Sequence, residues 1–469
     1  MLEFSLNNRE GLWKKTIEII ERYLTTVSSQ PVSPPSSADQ ISAALAEYTF
    51  ATPHDPKEIV ASVGELLTKH LLHTSHPAYF GVFNPASATM GIAADAIVAA
   101  FNPQLASSPS GNIAIAIEDH LLRFFGEKFG FARKDIRGNF TSGGTAANHT
   151  ALLCALTQKV PRFGSDGLGP NRPAIYTSVE THHSILRSAR LCGLGTSSVR
   201  TLPVRKNLEL NAKALVNQIA RDRQEGYLPL FLVATLGTTS AGTFDHLSEL
   251  VAIARNEDLW LHADAAWGGA AILLEEYRVL FQGSEQVDSI TLDAHKWLSV
   301  PMGAGLFITR HPEILEGTFR VDQSPYMPGQ TYQASSTEPY KQSLEWSKRF
   351  IGLKLFMTLA THGEEGYRQT LRHQIRMGDR LRQKLTASRW TIVNETPLPV
   401  ICFVDETLPH LDTVDFARRV AETGRTWITP TELRFNGQKV LRAGISNFLT
   451  QESDLDILVD TLNTVRASL

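Results

Sequence analysis

The sequence is short of cysteine, of long apolar runs and of any excess of one charge, and each shortage excludes a class of protein. Three cysteines, Cys154, Cys192 and Cys402, stand in apolar surroundings without CxxC or other metal-type spacing. That excludes a disulfide scaffold and a cysteine zinc site, and fits a reducing compartment. Nothing reaches the roughly eighteen uninterrupted apolar residues of a membrane span. The opening MLEFSLNNREGLWKK carries charge where a secretory signal is apolar, so a cytoplasmic location is expected. A formal charge of -3 offers no electrostatic ground for nucleic acid or an anionic membrane as partner. Metal is not expected either, because the adjacent His182 and His183 have no third ligand at helical or hairpin spacing.

What is present is a soluble composition, 42% hydrophobic and 20% charged over 469 residues, too long for one ordinary domain. Trp13, Ile17, Ile20 and Leu24 repeat at helical spacing and predict one buried stripe. SSQPVSPPSSAD (28–39) reads as an extended connector, and Asp55, Pro56 and Glu58 announce a second helix. HPAYFGVFNPASA (76–88) reads as a loop that brings Tyr79, Phe80 and Phe83 to a cleft or into the core. The pattern is helical again over 111–125. Apolar runs at 174–178, 198–204, 230–237, 259–264, 289–294 and 303–309 then alternate with helical stretches. This predicts a parallel or mixed sheet covered on both faces, with ligands bound beyond the carboxyl ends of its strands. A long helix stopping at Gly363 follows, then short strands at 390–393, 399–404 and 439–445. The resulting division is an N-terminal helical dimerisation segment at 1–85, a large domain at 86–345 and a small α+β domain at 346–469.

Each strand end carries something polar. LHADAAWGGA delivers Asp264 and SITLDAHKWL delivers Lys296, one carboxylate and one amine on the same rim. Pyridoxal phosphate chemistry needs both: a lysine to hold the cofactor, and an acid to keep its pyridine nitrogen protonated. Ser142, Gly143, Gly144 and Thr145 open a helix whose N-terminus can take a phosphate. With no following lysine and no GxGxxG, this turn is neither a P-loop nor a dinucleotide site. His182 suits stacking over a pyridine ring. The stretch 318–340 lacks apolar periodicity and reads as a lid, with Tyr326, Tyr332 and Tyr340 as proton donors. Arg442 interrupts an apolar strand, and a buried arginine calls for a carboxylate, structural or the substrate's.

The order SGGT, HxSI, ATLGTTSAGTFD, HADAAWGG, DAHKW, supported by HPAYFG, FRVD, SKRF and LRAGISN, resembles the group II pyridoxal-phosphate-dependent amino acid decarboxylases from about residue 57 onward. These include the glutamate, aromatic amino acid, cysteine sulfinate and diaminobutyrate enzymes. The resemblance implies an α/β enzyme of fold type I: a mixed, mostly parallel sheet between helices, an N-terminal helical segment and a small α+β C-terminal domain. It implies Lys296 as the cofactor-bearing lysine, Asp264 as partner of the ring nitrogen and His182 as the stacking ring. Gly144, Thr145 and His295 fall at phosphate contacts, Thr239 near the phenolic oxygen and Ala266 against the ring; His262 also falls in the family pattern. A lid tyrosine is implied as proton donor, with Tyr340 nearest by spacing and Tyr332 as the alternative. Tyr79, Phe83 and Arg442 are the substrate-side candidates. The implied reaction converts an L-amino acid to its amine and carbon dioxide in a homodimer with sites at the subunit interface. Transamination or decarboxylating aldehyde synthesis on the same scaffold is the alternative, and a binding module without catalysis is the remote one. DAAWGG leans toward the glutamate-like branch, whereas Tyr79 and Phe83 suit an aromatic side chain.

Overall fold

The structure is a computed structural model that describes residues 2–320 and 338–469; Tyr326 and Tyr332 lie outside the described residues. Its larger sheet is built from β1 (Arg137–Thr141), β2 (Pro173–Ser178), β3 (Val199–Leu202), β4 (Leu228–Thr235), β5 (Trp260–Asp264), β6 (Ser289–Asp293) and β7 (Gly305–Thr309), in the order β1-β7-β6-β5-β4-β2-β3. β3, β2, β4, β5 and β6 run parallel, and β7 is antiparallel to both its neighbours. Every residue of β2, β5, β6 and β7 is buried, as their largely apolar character requires of strands covered by helices on both faces. The expected mixed, mostly parallel architecture is therefore the observed one.

A second sheet joins β8 (Thr391–Ile392), β9 (Val400–Val404), β10 (Thr429–Leu433) and β11 (Gln438–Gly444) in the antiparallel order β10-β11-β9-β8. Its core takes Trp390, Phe403, Phe416 and Leu441, and also Val32, Tyr79 and Phe80 from far upstream. The upstream loop is stitched in by backbone: Phe80 N–H donates to Trp427 O and Gly444 N–H to Phe80 O, both at 2.9 Å.

The connector at 28–39 is anchored to the body of the protein, since Val32 is buried and its N–H donates to Gly424 O at 2.7 Å. Three expectations need correction. The helix expected to stop at Gly363 instead spans Leu353–Ala387 and kinks there, with φ +62. Glycine supplies the left-handed residue that a kink needs, as it does for a stop. Trp13 and Ile17 do not share one buried stripe with Ile20 and Leu24: both are exposed in the single chain, and the Leu6–Thr26 helix buries no residue fully. β1 and β10 had no strand signature. Both are edge strands, where a polar sequence and Pro430 are tolerated because one side makes no ladder bonds.

The turn after β1 lies directly on β7. A Cβ at Gly305 would stand 2.7 Å from Gly143 Cα and from Thr141 Oγ1, so only a bare backbone lets the two meet. We expect Gly305→Ala to lower the unfolding free energy by roughly 1–3 kcal/mol, the usual range for overpacking, measured as a drop in the urea midpoint. An unchanged midpoint would mean that the turn yields without cost.

Candidate active site

The carboxyl ends of the parallel strands converge on one cavity of about 380 Å³. β5 ends on Asp264, β6 on Asp293, and the turn after β6 carries His295 and Lys296. His182 and Thr239 come from the loops after β2 and β4, Ala266 from the turn after β5, and Gly144 and Thr145 from the start of the Gly144–Lys159 helix; all line the same cavity. The topology thus gathers residues more than 150 positions apart in sequence, from Gly144 to Lys296. A wider hollow of about 720 Å³ opens beside β9 and residues 405–413. There the buried Asp405 is already held by Thr407 and Arg466, and the chemistry concentrates in the smaller cavity.

Asp264 is buried at 5% exposure, and its oxygens accept from Ala266 N–H at 3.2 Å and from Asn148 Nδ2 at 2.9 Å. Lys296 Nζ stands 3.0 Å from Asp293 Oδ2, an amine facing a carboxylate that is itself 2% exposed. His182 opens to the cavity yet is crowded enough that desolvation lowers its pKa, against the pull of Asp264. Its Nδ1 accepts from Ser184 N–H at 3.2 Å, which turns the ring and leaves its second nitrogen without a partner among the described residues. His295 is held likewise, with Nδ1 accepting from Ala304 N–H at 3.1 Å and burial lowering its pKa.

The other candidates sit elsewhere. Tyr79 and Phe83 are buried beside the cavity and do not line it. The Tyr79 hydroxyl accepts from Val82 N–H at 3.2 Å, and Phe83 stacks on Trp267, a wall residue, with ring centroids 4.1 Å apart. Arg442 lies over the other side of Phe83 at 4.7 Å. It donates to Gly81 O at 3.0 Å, while its Nε and Nη2 have no partner among the described residues. Burial lowers its pKa. Tyr340 packs against Trp346 at 4.8 Å and its N–H donates to Ala106 O; within one chain it does not reach the cavity wall. Tyr332 lies outside the described residues. Sequence reasoning missed Asn148, Asp293, Asn84, Trp267 and Met302, all of which line the cavity. Asn148 is four positions beyond Gly144 on one helix, a spacing that places both on one face. Asp293 is three before Lys296, and those two spacings were the available signals.

These residues fit a phosphorylated pyridine aldehyde. A Cβ at Gly144 would come 2.7 Å from Asp293 Oδ2 and 3.3 Å from Ala266 Cβ, so the cradle stays open only because that residue is glycine. Among the described residues no side chain caps this helix, which leaves its first N–H groups and its dipole to an anion. The amine, the carboxylate and an aromatic ring face the same space.

Residues 40–405 match the pyridoxal-dependent decarboxylase conserved domain. The aromatic-L-amino-acid decarboxylase of Bacillus atrophaeus is 27% identical over 92% of this chain and 90% of its own length. A 4-hydroxyphenylacetaldehyde synthase of Rhodiola rosea is 25% identical over 95% of this chain and 92% of its own. The crystal structure of Oryza sativa TDC with PLP and tryptamine superimposes with a TM-score of 0.90 at 22% identity, over 100% of this chain and 99% of that one; the two share the fold.

Burial pushes the His262 imidazole, just below Asp264 on β5, down to about 4. An unfolded histidine titrates near 6.5. Below that pH the unfolded chain therefore takes up a proton that the folded chain refuses, and stability falls as pH drops from about 6.5 towards 4. We expect this loss to be smaller in His262→Phe, by roughly 3 kcal/mol in the limit, when denaturant midpoints are compared across that interval. Equal losses in the two proteins would show that His262 is charged in the fold.

Proposed function

The chain belongs to the group II pyridoxal-phosphate-dependent amino acid decarboxylases, carboxy-lyases that use pyridoxal 5'-phosphate, and we propose that this one converts an aromatic L-amino acid to its amine and carbon dioxide. The observation that carries the site assignment is the convergence of Lys296 and Asp264 on one cavity beside an open phosphate cradle. Lys296 would hold the cofactor and Asp264 would partner its ring nitrogen. His182 and Ala266 would take the ring, and Thr239 its phenolic oxygen. Gly144, Thr145 and His295 would hold the phosphate. When bound, the cofactor supplies an electron sink for the pair freed as the bond from Cα to the carboxylate breaks. Asp293, 3.0 Å from the Lys296 amine, orients that amine toward the cavity. Arg442 lies behind Phe83, off the cavity wall, with Nε and Nη2 unpartnered among the described residues, and with Phe83 and Tyr79 it backs the substrate side from there.

An aromatic substrate is favoured over an acidic one by the wall. Trp267, Met302 and Asn84 face the cavity, and the cationic or imidazole groups on its lining are Lys296, His182 and His295, all engaged by the cofactor roles above. Among the described residues a side-chain carboxylate therefore finds no second cation there. The curated relative from Bacillus atrophaeus, an aromatic-L-amino-acid decarboxylase, supports the same reading.

The proposal includes a homodimer with the site at the subunit interface. Residues 1–85 serve as the dimerisation segment, 86–345 as the large cofactor domain and 346–469 as the small domain. The exposed apolar side chains Trp13, Ile17, Phe101 and Ile113 support it, because apolar surface in such number calls for cover. In that assembly the lid tyrosine, Tyr340 or Tyr332, returns a proton to Cα.

Two measurements test this. Purified protein should carry a visible absorbance band that Lys296→Ala abolishes together with amine release; a colourless wild type with unchanged behaviour on substitution would sink the assignment. In a screen of L-amino acids, aromatic substrates should give amine and carbon dioxide in equal amounts. Release of aldehyde in place of amine would instead favour the chemistry named for the Rhodiola relative, and Tyr340→Phe should move the product in that direction if Tyr340 is the donor.

A further inference from the structure

We propose that a buried chain of side chains, Trp260, Ser289, His262 and Asn148, is a positioning relay that keeps Asp264 in its charged, hydrogen-bond-accepting form. Through Asn148 the relay also couples that carboxylate to the phosphate-holding helix. The inference rests on the reading of the site given above and deepens it.

The direction of each bond follows from what each atom can do. Trp260 Nε1 only donates, and Ser289 Oγ receives it at 2.9 Å. The serine proton is then free for His262 Nδ1 at 2.8 Å. Asn148 Oδ1 can only accept, so a neutral His262 facing it at 3.0 Å carries its proton on Nε2 and leaves Nδ1 to accept from the serine. Thr291 Oγ1 donates to the same oxygen at 2.7 Å. With Oδ1 so held, the amide nitrogen of Asn148 must point the other way, where it donates to Asp264 Oδ2 at 2.9 Å and to Ser184 Oγ at 2.8 Å. Asn148 has no bonding capacity left over.

Turning that amide over would set its oxygen against an oxygen of Asp264. Two acceptors at that distance are tolerable only if Asp264 is protonated, and the two donors at the far side would lose their acceptor. The relay members are between 0% and 1% exposed, so water cannot repair either fault and each lost bond costs its full desolvation. A preference for one amide orientation is thus a preference for a charged Asp264. Asn148 stands one helical turn after Gly144, on the Gly144–Lys159 helix. One rigid element therefore sets the distance between the phosphate cradle and the group that faces the ring nitrogen.

The test compares the affinity of the full-length enzyme, stripped and reconstituted, for pyridoxal phosphate and for its 1-deaza analogue, in which carbon replaces the ring nitrogen. Wild type should prefer the natural cofactor. Asn148→Ala should shrink that preference by roughly tenfold, the effect of one hydrogen bond to a charged group, with the analogue's own affinity nearly unchanged. His262→Phe, which keeps a ring stacked on Phe231, should act in the same direction and carries the comparison if Asn148→Ala does not fold. Equal losses for both compounds would reduce the relay to a packing role and overturn the proposal. Asp264→Asn is the control: if it leaves the preference intact, the assignment of Asp264 fails, whatever Asn148 does.

Discussion

The demand that organises the molecule is a carboxylate supplied with hydrogen-bond donors away from water. Asp264 is 5% exposed, and an isolated buried carboxylate would neutralise itself or unfold its surroundings. Here it is met from two sides, by Ala266 N–H and by Asn148. Asn148 is in turn held by Thr291 and His262 from the strands beneath. The sheet can deliver that carboxylate to a cavity because β4, β5 and β6 run parallel and end on the same rim.

Close backbone contact shapes the rest of the cavity. Gly305 on β7 admits the turn after β1, and Gly144 leaves room between Asp293 and Ala266, so the phosphate cradle is as much a product of missing side chains as of donors. The second sheet contributes at a distance. Its β11 carries Arg442, and the upstream 76–83 loop packs into its core. A stacked series of Arg442, Phe83, Trp267 and Trp297 then links that sheet to the wall of the cavity and to the residue after Lys296.

Much of this was legible locally. Strands β4 to β7, buried apart from Leu228, are largely apolar runs, and the candidate cofactor residues sit at strand ends, where a parallel sheet places ligands. Edge strands β1 and β10 were not legible, because an edge tolerates polar residues and proline. Gly363 was misread because a left-handed glycine bends a helix as readily as it ends one, and only the packing beyond it decides. Asp293 was passed over because an acid three residues from a lysine is ordinary on any surface; here both are drawn inside.

The sequence by itself singled out the candidate set, Lys296, Asp264, His182 and the small residues at 142–145, since each follows a local pattern of strand or turn. Tertiary structure alone decided which of the remaining polar residues serve them. Asn148 and His262 are separated by 114 positions and look like an ordinary helix residue and an ordinary strand residue. Their bond exists because the sheet buries both and leaves each the other as partner. Tertiary structure likewise placed Tyr79, Phe83 and Arg442 behind the wall, where the Arg442 guanidinium lies over Phe83 and Phe83 stacks on Trp267, an arrangement that no spacing along the chain records.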